Sequence, residues 1–135
     1  MSKTVEATLA APLYSTISAP RDMTVPPETT LQELRRMKAD NYRNIIVTNL
    51  LHRKTSLIDW INVLWALLTP NGSLHIAVPN GAEAWKDPCA VREVNSDTFA
   101  CFDFKGESYL KDCKPFYVVS HHLEGNNLHV RMLKA

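Results

Sequence analysis

Glycine is scarce, and the first half of the chain has none. Four glycines occur in 135 residues, and the first is Gly72. A turn that must bring its backbone against a phosphate or nucleoside relies on glycine, because a Cβ blocks the approach. A glycine-rich nucleotide loop ahead of residue 72 is therefore excluded. An excess of charge is lacking too: 15 Lys and Arg against 14 Asp and Glu give a net charge of +1. Nucleic-acid binding usually shows as a strongly basic face, and none is indicated. The short clusters Arg35-Arg36-Lys38 and Arg53-Lys54 read as a solvated helix face and a loop. The three cysteines, Cys89, Cys101 and Cys113, are odd in number, form no CxxC pair and have no histidine at ligand spacing. That pattern argues against a disulfide framework or zinc site, and fits reduced thiols in a cytoplasmic protein. The longest apolar run, residues 57–68, is broken by Asp59 and Asn62 and falls short of the ~20 residues a membrane span needs. Residues 1–11 have no continuous apolar core, so they do not read as a signal peptide. A soluble protein is expected.

What is present is a single domain's worth of patterned sequence, 45% hydrophobic and 21% charged, ordinary values for a globular chain. Residues 1–27 carry Pro12, Pro20, Pro26 and Pro27, too closely spaced for a helix. They read as a proline-rich arm, with one short strand conceivable at Leu13-Tyr14-Ser15-Thr16-Ile17. Residues 28–135 form the expected domain. Thr30-Leu31-Gln32-Glu33 is a capping box that opens a short helix, with Leu31, Leu34 and Met37 on one side. Ile45-Ile46-Val47-Thr48-Asn49-Leu50-Leu51 is apolar almost throughout, as in a parallel strand buried on both faces. Leu57, Ile58, Ile61, Leu64, Trp65 and Leu68 then recur at helical spacing, which makes Trp65 a core residue and puts Trp60 at the stripe's edge. Pro70-Asn71-Gly72 is a turn, and Leu74-His75-Ile76-Ala77-Val78 a second strand. Strand, helix, strand at this spacing is a βαβ unit. A loop follows to about Val94, then a short helix capped by Asn95 or Ser96, with Phe99 and Phe102 as anchors. Residues 116–123 and 128–133 are strand-like and joined by Glu124-Gly125-Asn126-Asn127, a hairpin signal.

Several of these pieces are shared with one family. Asn49-Leu50-Leu51-His52-Arg53, then Leu68-Thr69-Pro70-Asn71-Gly72-Ser73-Leu74-His75-Ile76-Ala77-Val78-Pro79-Asn80, then Asp87-Pro88-Cys89-Ala90-Val91-Arg92, and the aromatic stretch Thr98-Phe99-Ala100-Cys101-Phe102 resemble the C-terminal half of class I S-adenosylmethionine-dependent methyltransferases. The resemblance covers roughly the last two-thirds of the chain. It implies an α/β fold: a shortened Rossmann-like methyltransferase sheet, mostly parallel with a C-terminal antiparallel hairpin, and helices on its faces. The hydrophobic and turn positions match the family, whereas polar functional positions depart from it. Arg43-Asn44 stand where the family has an aspartate, His52-Arg53 replace a Glu-His pair, and Ala90 replaces a histidine. A full member would need three strands and their crossover helices ahead of Asn44, at about 30 residues or more per unit.

Read together, the kept scaffold and lost polar positions predict a degenerate methyltransferase that is not an enzyme, with no catalytic, cofactor-binding or metal-binding residues. It would act as a protein-interaction or structural module, in the manner of a phage or other accessory protein. A protein partner or homo-oligomer is expected, since a sheet short of strands keeps an open edge. The expected interface residues are Tyr14 and Trp85, the latter as an aromatic anchor. Asn49, His52, Asn80 and Arg92 are the remnant substrate-edge residues, at the carboxyl edge where open α/β sheets bind ligands. The alternative is an active methyltransferase with a remodelled or subunit-shared site, and only then is S-adenosylmethionine its cofactor. Of the remaining histidines, His121 and His122 are adjacent in a strand and point to opposite faces. His129 pairs across the hairpin with one of them, and two histidines without a carboxylate make a poor metal site.

Overall fold

The computed structural model describes residues 21–104 and 113–135. Among the described residues, five strands form one sheet in the order β1-β2-β3-β5-β4. They are β1 (Arg21–Val25), β2 (Tyr42–Thr48), β3 (Leu68–Pro79), β4 (Phe116–Glu124) and β5 (Asn127–Lys134). β1, β2 and β3 are parallel, and β5 inserts antiparallel between β3 and β4. Three short helices accompany them: α1 (Leu31–Arg35), α2 (Leu57–Leu67) and α3 (Ser96–Ala100). Segments of 3-10 helix lie at Leu51–Arg53 and Gly81–Lys86. The expected mixed α/β sheet with an antiparallel C-terminal pair is therefore present.

β1 lies inside the segment read as an arm. Its register is fixed by Met23 and Val25, which pair with Ile45 and Val47 of β2 and join the same core. Five residues with one buried valine give too little alternation to stand out next to a proline pair. Tyr14 and the strand considered at 13–17 lie outside the described residues.

The core sits on one face of the sheet. Val25, Ile45, Val47, Leu74, Ile76, Val78, Leu128, Val130 and Met132 alternate inward along their strands. They meet Leu34 of α1, Trp60, Ile61, Leu64 and Leu67 of α2, and Phe99 of α3 in a single cluster. The expectation that β2 is buried on both faces is therefore corrected: Ile45 is 0% exposed and Ile46 41%. The helical stripe is corrected as well. Trp60 is buried, and Trp65 is half-buried at the rim. There its indole N–H donates to the Pro115 carbonyl at 2.9 Å and the Lys134 ammonium sits 4.0 Å from the ring centroid. The reason is the helix's end. Leu68 is already strand, so α2 rolls toward the 57-60-61-64-67 side and leaves Trp65 against β5 and the segment before β4.

The capping boxes form as read. Thr30 and Glu33 satisfy each other's backbone N–H groups, and Asn95 does the same with Thr98. The turn at 69–72 is a bulge inside β3: Leu68 pairs with Tyr42, and the next pairing is Ser73 with Asn44. Asn71 takes a φ of 66° there. A Cβ on Gly72 would stand 2.9 Å from the Thr69 carbonyl oxygen, so the position admits only glycine without a backbone shift.

Candidate functional site at the carboxyl ends of β2 and β3

The parallel strands β2 and β3 end side by side. After Thr48, which pairs with Ala77, Asn49 turns through a φ of 53° and its N–H still donates to the Ala77 carbonyl at 2.8 Å. After Pro79, the Asn80 N–H donates to the Asn126 carbonyl at 2.9 Å, tying the strand end to the hairpin turn. Asn49 is exposed and Asn80 half-buried. These two lie at the carboxyl ends of the strands.

His52 and Arg92 are engaged elsewhere. The apolar pair Leu50-Leu51 buries fully and draws His52 in with it, leaving His52 1% exposed. Its Nε2 lies 2.7 Å from Asp87 Oδ2. A carboxylate accepts, so this nitrogen carries a proton, and Nδ1 is buried with no hydrogen-bond partner among the described residues. Asp87 also accepts from Arg53 Nε at 2.5 Å and, through Oδ1, from the Cys89 N–H at 2.9 Å. The Arg53 hydrogen bond, aided by the Cys89 amide, pulls the Asp87 carboxyl down to about 2, and Asp87 in turn holds the Arg53 guanidinium above its ordinary value. Arg92 closes the assembly by donating to the Lys54 carbonyl at 2.7 Å and the Thr55 carbonyl at 2.6 Å. The His52 carbonyl accepts from the Val91 N–H at 2.8 Å.

Chemically, this arrangement is a clasp. The second ring nitrogen of His52 is buried away from solvent, and both Asp87 oxygens are engaged. The segment after β3 is stapled to the turn after β2 by the same residue types that depart from the family pattern. Asp87 is the hub that the sequence reading did not single out as a site residue. Its signal was an aspartate opposite two adjacent basic positions, His52 and Arg53. A second departure behaves alike: Arg43 and Asn44 both donate to Asp22 of β1, at 2.9 and 3.0 Å, which lowers the Asp22 carboxyl and raises the Arg43 guanidinium. Both ends of that pair are exposed, so solvent screens it strongly.

Beside the clasp is an open cleft of about 460 Å³ lined by Thr55, Ser56, Asp59, Arg92, Thr98 and Cys101 among others. Its one guanidinium is the Arg92 group already committed to two carbonyls. Trp85 stands on the 3-10 turn after Asn80, 53% exposed, with its indole N–H on the Glu93 carboxylate. No described helix is long and apolar enough to cross a membrane.

Neither a protein-family model nor a curated protein sequence matches the chain. Solved structures do. A carbon methyltransferase, CurJ, superposes with a TM-score of 0.50 at 18% identity, over 72% of this chain and 30% of that one. A W203A mutant of a 16S rRNA (adenine(1408)-N(1))-methyltransferase from Catenulisporales acidiphilia gives 0.51 at 19% identity, over 72% and 51%. A SAM-dependent methyltransferase from Thermotoga maritima, described as a possible histamine N-methyltransferase, gives 0.51 at 11% identity, over 74% and 59%. The fold is therefore that of a class I S-adenosylmethionine-dependent methyltransferase, in shortened form. The chain spans between 30% and 59% of the length of these proteins.

Proposed function

We propose that this chain is a non-catalytic, methyltransferase-like module that works through a protein contact, made by the uncovered face of its sheet. The observation that carries this reading is the one-sided core. Among the described residues, every helix packs on the same face of the sheet. The other face presents Ile46 (41% exposed) and Tyr117 (39%), with Phe104 (61%) edge-on to the Tyr117 ring at 5.8 Å between centroids. Tyr117 and Phe104 form one contiguous exposed pair, and Ile46 stands apart from it with β3 and β5 between. Contiguous exposed apolar groups mark an interaction surface more often than solitary ones do. Among the described residues β1 is an edge strand that pairs with β2 alone, and such edges can be completed by other chains.

The non-catalytic half of the proposal rests on chemistry. No glycine precedes Gly72, and the histidine nearest the strand ends is buried in a clasp. Titration calorimetry with S-adenosylmethionine and S-adenosylhomocysteine should give no saturable heat for this chain. Light scattering should find it self-associated or held in a complex, and Ile46→Glu or Tyr117→Glu should release it. Saturable cofactor binding at micromolar concentration would overturn the first half and favour an enzyme with a subunit-shared site. A strict monomer whose two variants change no association overturns the second half.

A further inference from the structure

The β4–β5 hairpin supplies the carboxylate that the histidine pair was expected to lack. His122 and His129 are directly opposed across the strands, and their rings stack at 5.0 Å between centroids with planes 8° apart. Glu124 follows His122 by two residues, so both side chains leave the same face of β4. Glu124 Oε2 lies 3.9 Å from His122 Nε2 and 3.6 Å from His129 Nε2. His121, by contrast, pairs with Val130, whose side chain belongs to the core, and so leaves by the other face.

We infer that His122, Glu124 and His129 form a binding site for one divalent transition-metal ion of the zinc, nickel or copper class. Each residue offers one donor atom, and all three atoms lie within 4.8 Å of one another. Ligand atoms about 2.1 Å from a single tetrahedral ion stand roughly 3.4 Å apart. The Glu124–His129 separation already fits that spacing. The Glu124–His122 distance must close by about 0.5 Å and the His122–His129 donor separation, within 4.8 Å, by up to about 1.4 Å, through rotation of side chains that are 72%, 62% and 35% exposed. Imidazole nitrogens select zinc, nickel and copper over magnesium or calcium, which prefer oxygen donors throughout. The backbone contribution is preorganisation: cross-strand pairing fixes the two histidines in register before any ion arrives. Three donors leave at least one coordination position facing solvent, for a water or for a donor from another molecule. The site stands independently of the proposed protein contact, although it occupies the same open face, where His129 neighbours Ala77.

The test is calorimetric titration of the full chain with zinc and, separately, nickel. One ion per chain should bind, saturating in the micromolar range. His122→Ala and His129→Ala should each weaken binding by about tenfold or more, the loss seen even for groups one shell further out. Glu124→Gln should also weaken it, and His121→Ala should leave it unchanged. All four positions are on the exposed hairpin, and circular dichroism checks that each variant keeps its fold. The inference is overturned if neither metal binds, or if the His122/His129 double variant binds as well as the parent, which would assign the ion to the thiols. It is equally overturned if His121→Ala is as damaging as His129→Ala, or if Glu124→Gln binds with full affinity.

Discussion

Ile45 and Ile46 are neighbours of identical chemistry on one strand, yet the first is 0% exposed and the second 41%. The contrast runs across the whole sheet. The inward rung carries Val25, Val47, Ile76 and Val130 under three helices. The outward rung carries Thr24, Ile46, His75 and Arg131, with no described helix above it. A continuous apolar run therefore says that a strand tolerates burial on both sides. Which sides are buried depends on elements elsewhere in the chain or in another one.

The sharpest way to break this comparison is to make the same substitution at both positions. Ile45→Ala should cost about 2–5 kcal/mol, the range for large-to-small core changes. Ile46→Ala should cost less than about 0.5 kcal/mol, as surface changes usually do. Urea unfolding of the two variants decides it, and equal losses would mean that the outward face is covered. Next in size is Gly72→Ala, in the bulge that lets β3 start straight from α2. Its Cβ would collide with the Thr69 carbonyl oxygen, and we expect a loss of about 1–3 kcal/mol, as for other overpacked sites. A melting temperature equal to the parent's would show that the bulge relaxes freely.

Two further predictions concern charge. Asp87, at about 2 in the folded chain, lies below the usual unfolded value of about 3.9. The unfolded state then binds more protons between those values. The clasp's contribution is complete above roughly pH 4 and is lost as pH falls through about 2. Asp87→Asn should lower stability at neutral pH and flatten that acid limb in urea midpoints taken against pH. An unchanged midpoint at pH 7 would show that the clasp is inert. The smallest effect belongs to the outward face. Burial, helped by Arg131, pushes the His75 imidazole down. Its neutral form is matched to the fold above the usual value of about 6.5, and stability declines as pH drops below that. His75→Gln should remove this shallow decline. A parent and variant with superimposable pH profiles from 7 to 5 would contradict it.

Local signals in the sequence located most elements. Thr30-x-x-Glu33 and Asn95-x-x-Thr98 each sit where a helix begins, because a cap is satisfied within four residues. The hairpin at Gly125-Asn126 was legible for the same reason: Gly125 takes the φ of 63° the turn requires. The misread elements were those that depend on contact at a distance. β1 has little pattern of its own and is a strand because β2 offers it a partner. Trp60 and Trp65 exchanged roles because the end of α2 is set by β3, not by the helix's own stripe. Within the candidate site, the strand ends alone locate Asn49 and Asn80 at the carboxyl edge. The burial of His52 was not legible, since it follows from Leu50 and Leu51 and its partner stands 35 residues away.

The sequence by itself determined the class of the fold, since apolar periodicity and turn chemistry act over a few residues and need no tertiary context. It also ruled out a glycine-rich loop before Gly72, because no packing can restore an approach that a Cβ forbids. The tertiary structure decided what the polar residues do. Arg43-Asn44 met Asp22, His52-Arg53 met Asp87, and His122 met Glu124 and His129. Charge and hydrogen bonding act through space over a few ångströms, and the chain must first fold to bring those groups within reach.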